Sequence, residues 1–300
     1  MYNGVINIYK EAGFTSHDAV AKMRGILRQK KIGHTGTLDP EAVGVLPVCL
    51  GSATRLCEML TDQDKEYEAV LLLGVETDTQ DLTGRVLAEK SVGCGEDEAR
   101  RAVLTFVGEY DQVPPMYSAL KVGGKKLYEL AREGKEVERQ PRRVMISSIE
   151  ITAMELPRIS MRVTCSKGTY IRTLCHDIGQ KLGCGAAMQS LKRTRVGQFG
   201  IEDAITLEEL ERLCGTGREQ EHILPVEAVF AHLPQIHVRR AYTGLIRNGN
   251  VFYGNQAVEE NLCRDQVQAR IYDEDGTFYG IYAYDAEKRR MKPVKMFPER

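Results

Sequence analysis

The sequence predicts an α+β chain that ends in a small β-rich unit, on three observations. Apolar strand-like runs such as Val43 to Leu50 and Glu66 to Gly74 are nearly continuous and interspersed with helical patterns. They lack the strict alternation of a doubly wound α/β protein. Neither GxGxxG nor GxxxxGKS/T occurs, so no nucleotide cofactor has an obvious glycine-rich cradle. A composition shift between Pro225 and Pro234 leads into a strand-like stretch, His237 to Pro298, punctuated by Asn248-Gly249 and Asp275-Gly276.

The elements follow from local pattern. Val5, Ile6 and Ile8 make an opening strand; Ser16 is the expected cap of a helix carrying Val20, Met23 and Leu27 at helical spacing. Gly33 to Asp39 (GHTGTLD) is a glycine- and threonine-rich loop that ends at Pro40. After the strand Val43 to Leu50, Ser52 is the expected start of a helix with Leu56, Met59 and Leu60 inward. Asp97 to Phe106 reads as a short amphipathic helix. Gln112 to Val122 contains two prolines that forbid a helix, and Gly123-Gly124 with a basic run after it predicts an exposed, mobile insertion. Strands are expected at Arg143 to Ile151 and Arg158 to Ser166. From about Thr169 a helix then places Ile171, Leu174, Ile178 and Leu182 on one face.

Composition narrows the classes. The 300 residues, 42% hydrophobic and 28% charged, can bury a core without disulfides or metals and suggest about two domains. No apolar run approaches the ~18 residues of a membrane helix, and the N-terminus lacks a signal-peptide pattern, so a cytoplasmic address is expected. The eight cysteines include no CxxC and fit no familiar zinc spacing; most are expected to be reduced, buried thiols. A net charge of −1 conceals segregation: Ala21 to Lys31 holds five basic residues and no acid, and Arg158 to Arg195 holds eight against one. Such blocks are what a phosphate-facing side would need, or ordinary solvated helix faces.

Three residues are candidates for chemistry on position alone. Asp39, at a loop edge fixed by Pro40, is placed to act as nucleophile or general base, or only to shape an Asx turn. Arg172, on the predicted helix, is either a fork for a carboxylate or a solvated helix-face residue. Tyr67 alternates with Glu66 and Glu68 and therefore faces a core or a pocket.

The run GHTGTLDPEAVGVLPVCLGSATR (Gly33 to Arg55) resembles the signature of the TruB-type tRNA pseudouridine synthases. The same family is resembled by GVINIYKEAGFTSHDAV (Gly4 to Val20), KEYEA (Lys65 to Ala69), CSKGTYIRTLCHDIG (Cys165 to Gly179) and LKRTRVGQF (Leu191 to Phe199). VPPMYSALKVGGKKLYELAREG (Val113 to Gly134) resembles the insertion that grips the T-arm of tRNA. One departure is Glu11, where the family usually has proline; the opening loop is expected to be less rigid for it.

The resemblance implies a mixed, mostly antiparallel sheet flanked by helices, the pseudouridine synthase fold, over residues 1–232, with the RNA-gripping insertion at 112–142. A PUA-like RNA-binding domain is implied at 237–300. The implied activity is isomerisation of uridine 55 in the T-loop to pseudouridine, with no cofactor or metal, by a monomer that needs neither protein partner nor guide RNA. Asp39 is then the catalytic aspartate, Arg172 its ion-pair partner, and Tyr67 the ring that stacks on the flipped uracil and handles protons. His34 fills the gap the uridine leaves, Tyr170 and Leu191 shape the pocket, and Lys10 supports the Asp39 loop. On this reading, deleting Gln112 to Arg142 weakens RNA binding far more than it slows catalysis. The alternatives are a guide-dependent synthase of the same fold and a tRNA-folding chaperone.

Overall fold

The strand Lys65–Leu73 sets the centre of the molecule because its side chains alternate buried and half-buried along its whole length, with Tyr67, Ala69, Leu71 and Leu73 inward. In the computed structural model, which describes residues 1–297, it lies in a ten-stranded sheet. The sheet runs Ile223–Leu224, Gly4–Lys10, Val43–Leu50, Ala186–Val196, Lys65–Leu73, Arg158–Cys165, Arg142–Glu155, Gly108–Gln112. Ile32–His34 pairs additionally with Val43–Leu50, and Phe199–Gly200 with Ala186–Val196.

Neighbours are antiparallel except at one seam, where Ala186–Val196 meets Val43–Leu50 in parallel through Lys192 opposite Val43 and Arg193 opposite Gly44. Gly44 is obligatory there: its φ is +106°, and a Cβ would stand 2.2 Å from the Arg193 carbonyl oxygen.

Helices cover the sheet. Ile171–Lys181 buries Ile171, Leu174, Cys175 and Ile178 in the core that also holds Tyr67, Leu38 and Leu191. It lies close to the strand Ala186–Val196 because Gly179 has no Cβ, which would meet the Ala186 nitrogen at 2.2 Å. Truncating a side chain such as Leu174 to alanine costs about 2–5 kcal/mol at a site this closed. Ser16–Ile26 packs Ala19, Val20 and Met23 with Leu207 and Leu210 of the helix Leu207–Thr216 over Ile6, Ile8, Leu46 and Val48.

Several local expectations are corrected. Thr15, not Ser16, caps the first helix, in a capping box with Asp18. Ser16 is buried, and its hydroxyl oxygen instead accepts the Leu38 N–H at 2.9 Å. The helix expected from Ser52 is a 3₁₀ turn, Gly51–Leu56, followed by the short α-helix Cys57–Thr61. The central strand Ala186–Val196 is masked in the sequence by Lys192, Arg193 and Arg195, and the helix Leu207–Thr216 by its acids.

The C-terminal region is a five-stranded sheet ordered Gln235–Val238, Gln268–Asp273, Phe278–Asp285, Arg290–Met296, Phe252–Tyr253, with a one-turn helix, Thr243–Arg247. Its expected turns form at Gly249 and Gly276, both left-handed; Pro298 lies outside the described residues. It shares a core with the rest of the chain, since Ile281 and Phe297 cluster with Val5, Val45, Leu56 and Phe230. Four cysteines are buried (Cys49, Cys165, Cys175, Cys184) and the other four are half-buried; all eight are free.

Candidate active site

The site forms at the parallel seam, where the 35–42 loop meets the start of the helix Ile171–Lys181. That loop connects Ile32–His34 to Val43–Leu50 and is tied down along its length. Thr35 donates its N–H and its hydroxyl to the Pro47 carbonyl, each at 3.1 Å. Leu38 is buried, so the residue after it is held at the rim of the core.

Lys10 is fully buried and donates from Nζ to the carbonyls of Phe14 (2.6 Å), Pro40 (2.9 Å) and Glu11 (3.0 Å). Gly13 N–H reaches the Pro40 carbonyl as well, at 3.0 Å. The opening loop without the family's proline is thus pinned by lysine and main-chain bonds. Burial lowers the Lys10 ammonium to about 8, against the pull of Asp39. Lys10→Met strands three carbonyls, and we expect it to cost ~2–4 kcal/mol. Urea unfolding checks this, and a loss under 1 kcal/mol would mean water replaces the ammonium.

Asp39 and Arg172, 133 residues apart, meet in a two-point pair: Nε to Oδ2 at 2.9 Å and Nη2 to Oδ1 at 3.2 Å. The Arg172 guanidinium is buried and further bonded to the carbonyls of Thr79 (3.0 Å) and Tyr117 (2.8 Å). A second carboxylate, Asp81, lies 3.7 Å from Nη1. Asp81 is itself fixed by Thr79 Oγ1 at 2.8 Å and Thr83 N–H at 3.0 Å. Burial pushes the Asp39 carboxyl above its ordinary range; Arg172 opposes this and Asp81 adds to it. The carboxylate still keeps 37% of its side-chain surface open, the face from which a substrate would reach it.

Tyr67 stands on the inner face of its strand, flanked in register by Val163 and Arg193, as the alternation requires. Leu191, opposite Ala69, shares that buried face, and Tyr170 is half-buried as the residue before the Arg172 helix. The charges bearing on Tyr67 and Tyr170 include Asp39, so these residues form one neighbourhood with the ion pair. His34 ends its strand opposite Val48, and the charges that bear on it are Arg193 and His17. Burial lowers its imidazole, which favours the neutral ring.

Arg193 is a site residue that sequence reasoning passed over. It is 1% exposed, and no carboxylate reaches it among the described residues. Its guanidinium donates to the carbonyls of Val45 (2.7 Å), Gly36 (3.3 Å) and Thr37 (3.5 Å), with the Tyr67 hydroxyl also in reach. It therefore braces the floor of the Asp39 loop and the back of Tyr67 at once. A signal was present: Arg193 is two residues from the inward Leu191 in a strand, so the two share a face. Through the Tyr117 carbonyl, the main chain of the 112–142 segment also belongs to the ion-pair network.

A mixed sheet with an aspartate loop, a tyrosine strand and an arginine helix converging at its seam is the pseudouridine synthase fold. Two solved structures share it: a Cbf5-Nop10-Gar1 complex (TM-score 0.73, 28% identity, 99% of this chain and 87% of the other) and an H/ACA RNP bound to a substrate RNA containing 2'-deoxyuridine (TM-score 0.73, 26% identity, 99% and 86%). Residues 24–171 match the TruB family pseudouridylate synthase N-terminal domain, and residues 172–231 the tRNA pseudouridylate synthase B C-terminal domain. The tRNA pseudouridine synthase B of Lachnoclostridium phytofermentans is 50% identical over 98% of this chain and 99% of its own length. That of Bacillus pumilus is 44% identical over 100% and 99%. The chain belongs to the TruB family of pseudouridylate synthases.

Proposed function

We propose that this protein converts one T-loop uridine of tRNA, position 55, to pseudouridine without cofactor or guide RNA. The observation that carries the reading is the two-point Asp39–Arg172 pair beside the inward-facing Tyr67. The reaction breaks the N1–C1′ bond and makes a C5–C1′ bond; C5 loses a proton, N1 gains one, and nothing else is consumed. An ionised carboxylate either adds at C1′ or takes up the proton chemistry of the sugar. Asp39 is the more open of the two carboxylates on Arg172, Asp81 being tied to Thr79 and Thr83. One carboxylate open to the sugar suits an isomerisation, in which no water should attack.

The uridine must leave its stack, at a cost of a few kcal/mol, and stacking on Tyr67 offsets part of it. His34, whose burial favours the neutral ring, is suited to filling the vacated space rather than to pairing with phosphate. Tyr170 and Leu191 close the sides of the pocket. We assign the T-arm to the basic 112–142 insertion and RNA contact to the C-terminal sheet, read as PUA-like. The protein acts as a cytoplasmic monomer. No helix among the described residues is long and apolar enough to cross a membrane.

The test is single-turnover conversion of an unmodified T-arm RNA, read by carbodiimide labelling. Conversion at one T-loop uridine is expected; tight binding without conversion favours the guide-dependent or chaperone reading. Binding should also weaken steeply with salt, with a log–log slope near −0.7 for each phosphate neutralised on single-stranded segments. A flat plot would remove the basic segments from the interface.

A further inference from the structure

The segment assigned to RNA grip is anchored in the site by an interaction that the chemistry above does not use. Gln112 is the last residue of the strand Gly108–Gln112 and the entrance to the insertion; across the sheet it pairs with Arg142, where the insertion ends. It is 1% exposed, yet its amide makes no bond to the insertion itself. Instead both its ends close on the main chain of Tyr170: Oε1 accepts the Tyr170 N–H at 2.7 Å, and Nε2 donates to the Tyr170 carbonyl at 3.0 Å. Tyr170 immediately precedes the helix that carries Arg172. Five residues beyond Gln112, the Tyr117 carbonyl accepts from Arg172 Nη2 at 2.8 Å.

We infer that Gln112 is a positioning residue for the reaction: it clamps the start of the Arg172 helix while Tyr117 holds the guanidinium, so the root of the RNA-gripping insertion also sets the Asp39–Arg172 pair. The physical argument is one of freedom. The first N–H groups of a helix have no partner within it, and the chain entering a helix is free to swing unless side chains fix it. Tyr170 makes no side-chain cap, and the Gln112 amide instead fixes the main chain of this N-cap residue from a neighbouring strand. A shift of about 1 Å at Arg172 is enough to spoil the fork on Asp39, and misplacements of that size cost about 10²-fold in rate. RNA seated on the insertion would bear on the same root. This inference rests on the reading of Asp39 as the reacting carboxylate.

The test uses full-length protein and the T-arm RNA. Gln112→Leu removes both bonds at similar size. Its single-turnover rate at saturating RNA should fall about 10²-fold while the Kd stays within about threefold. The double variant with Arg172→Lys should be within about threefold of Arg172→Lys alone, because both act through one contact. Multiplying losses would make Gln112 a general structural residue and overturn the inference, as would an unchanged rate or a loss confined to Kd.

Should Gln112→Leu fail to fold, Gln112→Glu decides. A protonated carboxyl reproduces the amide's donor and acceptor, whereas a carboxylate cannot donate to the Tyr170 carbonyl. The rate relative to wild type should therefore rise as pH falls, at constant Kd. The ratio is read above the acidic limb of both profiles, where Asp39 is ionised in each. The other groups facing this position, Tyr110, Asp177, Arg142 and Arg172, are present in both proteins. A ratio flat with pH overturns the inference. A wild type that converts nothing overturns the functional reading itself, an outcome distinct from all of these.

Discussion

Asp39→Ala is expected to abolish pseudouridine formation, with the single-turnover rate down by at least about 10⁴-fold, while RNA affinity stays within about tenfold. The loop is held by Thr35, Leu38 and Lys10 rather than by the Asp39 carboxylate, so removing that group leaves the frame intact. The cost to the fold is different: Arg172 loses its partner but keeps the Thr79 and Tyr117 carbonyls and gains on Asp81. The protein should therefore still fold, and a thermal melt close to wild type is part of the prediction. Residual conversion within 100-fold of wild type would remove Asp39 from the chemistry. An equal collapse of affinity would make it a structural residue.

Arg172→Lys should lower the rate about 10²–10³-fold, because an ammonium cannot span Oδ1 and Oδ2 and reach two carbonyls from one point. The sign of its pH effect follows from the forces on Asp39. Burial and Asp81 raise the carboxyl, and Arg172 is the largest influence lowering it. Weakening Arg172 leaves the raising influences less opposed, so a higher pH is needed to keep Asp39 ionised. The acidic limb of the rate–pH profile must then move to higher pH in Arg172→Lys, and further in Arg172→Met. A limb that stays put would mean that Asp39 is not the ionisation the profile reports. One that moves down would mean that Arg172 burdens the carboxylate instead of holding it.

Local order carried much of this protein. Alternation along Lys65–Leu73 was enough to turn Tyr67 inward and Glu66 and Glu68 outward, because a strand repeats every two residues and one face had to be apolar. Glycines and Pro40 marked the Asp39 loop, and the spacing of Ile171, Leu174 and Ile178 gave the face of the Arg172 helix. The motifs resembling the TruB family attached roles to these residues. Where charge interrupts the apolar pattern, periodicity does not mark the element: Ala186–Val196 is a central strand although Lys192, Arg193 and Arg195 break its pattern. Its Arg193 is buried by partners that lie 148 and 157 residues away, on Val45 and Gly36.

What the sequence determined by itself is thus the elements with an uninterrupted apolar pattern, the inward side of Tyr67 and the loop that presents Asp39. The family resemblance implied the pairing of Arg172 with Asp39. Only the tertiary structure decided that it is a two-point fork, that Arg193 braces the loop without a counter-charge, and that Gln112 joins the insertion to the Arg172 helix. It also decided that the C-terminal sheet shares a core with the first strand. The physical reason is range. Backbone periodicity acts over two to four residues and fixes which way a side chain faces. The partner of a buried charge is set by the order in which distant strands join, and no local pattern carries that order.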